Sequence, residues 1–86
     1  MDVNAYRSFL KELIGDALEN TDGSVSEITA YLHTRQVSGL LVRNKKEKQR
    51  ALLDAQTAFS EHRHWPLRIV ISHLGLDPDE LGVKSF

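Results

Sequence analysis

At 86 residues, with 41% apolar and 27% charged side chains and a formal net charge of −1, the chain has the make-up of one small globular domain spanning residues 1–86. That composition argues against a disordered chain, and the absence of cysteine excludes a disulfide framework, thiolate metal sites and a thiol nucleophile. A cysteine-free domain of this size, opening "MDVNAYRSFLKEL" without a signal-peptide pattern and with aliphatic runs no longer than Ile69–Ile71, is expected to be soluble and cytoplasmic.

Charge is segregated along the chain. Residues 1–32 carry two basic and six acidic side chains, residues 33–50 six basic and one acidic, and residues 51–86 three basic and five acidic. The acidic first third can pair with the basic middle inside the molecule or across a dimer, or the basic middle can serve a charged partner.

Tyr6, Phe9, Leu10, Leu13, Ile14, Ala17 and Leu18 recur at helical spacing, with Arg7, Lys11, Glu12, Asp16 and Glu19 on the other face. Asp2 or Asn4 can cap this first helix, and Asn20-Thr21-Asp22-Gly23 is turn chemistry that stops it. Gly15, in its interior, costs about 1 kcal/mol relative to alanine and points to a close helix approach. Ser24-Val25-Ser26-Glu27 then fits a capping box, and Val25, Ile28 and Leu32 form a second stripe with Tyr31 beside it. The stripe loses phase afterwards, which predicts a break or bend near His33-Thr34-Arg35.

From Val37 a new register begins. Val37, Leu41, Leu52, Ala55 and Phe59 fall on one stripe, predicting a long middle helix from about Val37 to His64. Asn44, Lys45 and Lys48 occupy that stripe for two turns, so the helix either breaks near Arg43-Asn44 or continues and overhangs its partners. Residues 43–51 hold no Gly or Pro, which favours continuity. Trp65-Pro66 ends this helix. Pro66 opens the next, with Leu67, Val70, Ile71 and Leu74 as its buried stripe and Gly75 as its stop. Ile69 points the other way, so the segment is apolar nearly all round and is expected to be central. Asp77-Pro78-Asp79-Glu80 signals one last helical turn, and Phe86 is left to fray or to dock. The expected fold is all-α: a compact bundle of four to five helices with a long middle helix.

The functional candidates are few. Arg43, Lys45, Lys46, Lys48 and Arg50 can form a phosphate grip or a steering surface for a protein, or can simply be the solvated face of a helix. The mildly acidic whole, with a pI near 6.4, and the lack of an aromatic within the run argue against a dedicated nucleic-acid binder. A helix-turn-helix is the sharper alternative, using residues 34–50 with Thr34, Arg35, Gln36 and Ser38 opening a second helix. Its turn would hold His33 where a small residue is usual.

His62 and His64 lie about 200° apart around a helix and cannot share a metal from one face. No HEXXH, nucleophile elbow or Gly-rich phosphate loop occurs, so neither an enzyme nor a cofactor is expected. His62-Arg63-His64 can make the corner around Phe59 and Trp65 responsive to pH near 6. Val42, Leu53 and Ile69 lie off their stripes and form a possible apolar interface, closed across a two-fold axis if the protein is a homodimer. The expected role is a non-catalytic protein that binds a protein partner or itself, with DNA binding as the alternative.

Overall fold

A computed structural model describes residues 2–37 and 42–83. Among them the chain forms α1 (Val3–Asn20), α2 (Val25–Thr34), α3 (Lys45–Glu61) and α4 (Leu67–His73), and no strand. The bundle of four helices is all-α, as the periodicity predicts.

Local chemistry sets the helix ends. Asp2 caps α1, its Oδ1 accepting from Ala5 N–H at 3.1 Å. Ser24 caps α2, its Oγ accepting from Glu27 N–H at 3.2 Å. The expected capping box closes differently: Glu27 reaches past Ser24 to accept from Asp22 N–H at 3.2 Å, while Asp22 takes Ser24 N–H at 2.8 Å. Those donated hydrogen bonds hold the Asp22 carboxyl below its usual range. At the end of α4, Gly75 sits at φ 81° and donates to Ser72 O, while Leu76 N–H donates to Ile71 O. This is a Schellman ending, and it needs the glycine.

The core gathers Leu10, Leu13, Ile14 and Ala17 from α1 and Ile28 and Leu32 from α2. Ala51, Leu52, Ala55, Ala58 and Phe59 come from α3, and Val70 and Ile71 from α4. α3 touches each of the other helices. It is the short alanines at 51, 55 and 58 that let those neighbours approach and Phe59 fill the centre with no exposed surface. The radius of gyration, 12.4 Å, is near the ~12 Å of a compact chain of this length.

Four expectations need correction. The middle helix does not run from Val37: α3 begins at Lys45, preceded by a turn at Arg43-Asn44 with Asn44 in the left-handed region at φ 54°. That backbone cannot continue a right-handed helix, so the break lies where Asn44 interrupts the apolar stripe. No second helix opens at Thr34. Thr34 ends α2, and Arg35 is already extended at φ −85°, ψ 148°. α4 is not central: it packs on α3, and Ile69 is 51% exposed. A seven-residue helix has one covered side, however apolar its sequence. Residues 78–83 form successive turns closed by Leu81 N–H to Pro78 O, Gly82 N–H to Asp79 O and Val83 N–H to Pro78 O, rather than a helix. Leu41, Ser38 and Phe86 lie outside the described residues. Val37 still packs against the core, but from extended chain rather than from the helix.

Candidate interaction surface

The basic run does not act as one unit. Arg50 Nε pairs with Asp54 Oδ1 one turn on, at 3.1 Å, and Asp54 also accepts from the Tyr6 hydroxyl. Burial of the phenol, then the hydrogen bond to Asp54, pushes Tyr6 up to about 12. Lys48 is half-buried, with Nζ over the Phe9 ring at 5.6 Å from its centroid. Both side chains therefore help to hold α1 against α3.

Arg43, Lys45 and Lys46 differ. All three are exposed, and among the described residues none forms an ion pair. Arg43 lies in the turn, and the two lysines are the first residues of α3. Asn44 makes no side-chain cap there, and Glu47 is the one acid of the first turn. Three cations thus crowd the positive end of a helix dipole, where charge of the opposite sign is favoured.

The groove-entering residues of the helix-turn-helix reading lie elsewhere. Arg35 sits over the Tyr31 ring at 5.7 Å and approaches Asp16 at 3.8 Å, while the Tyr31 hydroxyl donates to the same carboxylate. That hydrogen bond raises the pKa of Tyr31. Gln36 is exposed in extended chain beside it. Ten residues separate the end of α2 from the start of α3, too many for the three-to-four-residue turn of that motif.

Of the apolar candidates, Val42 is half-buried, while Leu53 and Ile69 are 53% and 51% exposed. Leu53 lines a shallow depression with His33, Gln56, Thr57, Ser60 and Glu61. The sequence places His62 beside Trp65 at one corner but does not show His73 there; Trp65 is 38% exposed. The His62 imidazole stacks on the Trp65 indole at 3.6 Å between centroids, and the edge of His73 meets both rings, at 5.0 and 5.5 Å. The dyad joins residues three apart through a turn, Trp65 N–H donating to His62 O at 3.0 Å. Only α4 brings in His73.

A cleft of about 790 Å³ is lined by Arg7, Ser8, Lys11, Ser72, Asp77 and Glu80. Its cations serve the fold: Arg7 Nη2 donates to Gly75 O at 3.1 Å, and Lys11 Nζ meets Glu80 Oε2 at 2.9 Å. Among the described residues no three His, Asp or Glu side chains converge as metal ligands would. No buried side-chain nitrogen or oxygen among them lacks a hydrogen-bond partner. No described helix is long and apolar enough to cross a membrane. No family model, curated protein or solved structure matches this chain.

Proposed function

We propose that this chain is a small non-catalytic binding protein that docks an acidic face of a protein partner on the opening of α3, through Arg43, Lys45 and Lys46. One observation carries the reading: three exposed cations share the positive end of a 17-residue helix, with neither a capping side chain nor an ion pair among the described residues. Cations at that end of a helix cost roughly 0.3–1 kcal/mol each. An anionic surface laid across them would turn the cost into a gain and would steer the encounter. Leu53 and Ile69 supply exposed apolar area of the kind a protein interface covers. The HTH-like DNA reading is weakened by the placement of Arg35 and Gln36 outside any helix.

The test is retention of partners from an extract of the native host, with and without nuclease, by the wild type and by the double variant Lys45→Glu, Lys46→Glu. Proteins retained by the wild type through nuclease treatment, released by salt and lost by the variant would support the reading. Retention that vanishes with nuclease would transfer the surface to nucleic acid. Equal retention by both proteins would remove α3 from any binding role.

A further inference from the structure

We propose that the corner between α3 and α4 is a proton-operated latch, closed while at most one of His62 and His73 is charged and opened when both are.

Three rings close this corner. His62 follows the last residue of α3, with its N–H on Ala58 O at 3.1 Å, and Trp65 N–H returns to His62 O at 3.0 Å. That turn lays imidazole on indole at 13° between planes. His73, the last residue of α4, presses its ring edgewise on both. One proton suits the arrangement. An imidazolium over the indole face is a cation–π pair, and both histidines stand at the negative ends of their helices. A second proton does not suit it, because two like charges would then face each other with centroids 5.0 Å apart.

The surroundings offer little relief. Two carboxylates, Asp54 and Glu61, line one depression with His73, Tyr6, Thr57, Ala58 and Leu74. Asp54 is committed to Tyr6 and Arg50. Glu61 is left as one counter-charge against two imidazoliums, while Arg63 and His64, next to His62 in the chain, are both exposed. Tyr6 stays neutral in this range. His33 is bonded through Nε2 to Ser60 Oγ at 2.9 Å and lines a different depression, with Leu53. Opening the latch would part His73 from the His62–Trp65 stack and uncover the shielded part of the indole, while Val70 and Ile71 keep α4 seated on the core.

Trp65 is the sole tryptophan, so its fluorescence reads this corner alone. Quenching by acrylamide is followed from pH 8 to pH 5, the interval in which imidazoles take up protons, about pH 6.5. With the corner closed Trp65 is 38% exposed, so on opening the quenching constant should rise about twofold while far-ultraviolet circular dichroism holds steady. His73→Gln leaves a single imidazole and should give a constant that does not change with pH. His62→Gln removes the stack and should quench readily at every pH, and His64→Gln should follow the wild type. A flat wild-type profile, a His73→Gln profile that titrates like the wild type, or a rise that accompanies loss of helix would each overturn the latch.

Discussion

Tyr6 illustrates how much one hydroxyl holds in a protein this small. It donates to Asp54, which also takes Arg50, so a single carboxylate ties α1 to α3 at a partly buried point. The phenol keeps its proton to about 12 in the folded protein, against about 10 in an unfolded chain. The stability carried by that proton is therefore complete below pH 10 and is lost as pH rises through about 12. Tyr6→Phe should cost about 1 kcal/mol at neutral pH, the usual worth of one hydrogen bond. Urea denaturation should show the gap between wild type and variant closing between pH 10 and 12, and a gap that persists at the upper end would contradict the assignment. None of this was legible in the sequence. Tyr6 reads there as one more apolar position on a stripe, and Asp54 lies 48 residues away.

At the scale of elements, the first two helices were readable because their signals are local. Caps, turns and apolar spacing in residues 2–34 each act within a few residues, and the structure returns them nearly unchanged. The start of α3 was not, because good helix formers on both sides of Asn44 hide one left-handed residue. The warning was present in the misplaced Asn44, Lys45 and Lys48, which fill stripe positions that apolar residues should hold. α4 misled for a different reason: an apolar circumference says nothing of how many neighbours a short helix can reach. The corner of His62 and Trp65 was legible, but its third ring, His73, was not, because it arrives from another helix. Gly15 also departs from expectation. A β-carbon built there meets Leu81 Cδ2 at 3.9 Å, an ordinary contact, so no close helix approach depends on the glycine. Gly15→Ala should accordingly stabilise the protein by about 0.5–1 kcal/mol, through helix propensity and a less free unfolded chain. A raised thermal midpoint checks it, and a lowered one would mean that Leu81 cannot give way.

The whole molecule rests on one compact core with Phe59 at its centre. That side chain has no exposed surface and is the largest of those fully buried. Phe59→Ala should cost about 3–5 kcal/mol. Against a total stability of roughly 5–10 kcal/mol for a domain of this size, such a loss removes about a third or more of it. Circular dichroism in urea would register it as a large fall in midpoint.

The separation of charge along the chain survives folding only in part. Asp16 reaches Arg35, and Asp54 reaches Arg50, yet the cations that open α3 remain uncompensated among the described residues. A total charge of −1 therefore conceals an electric dipole, with its positive pole at that helix opening. Near its isoelectric point of about 6.4 the molecule should adhere weakly to cation-exchange and anion-exchange matrices alike, turning a different side to each.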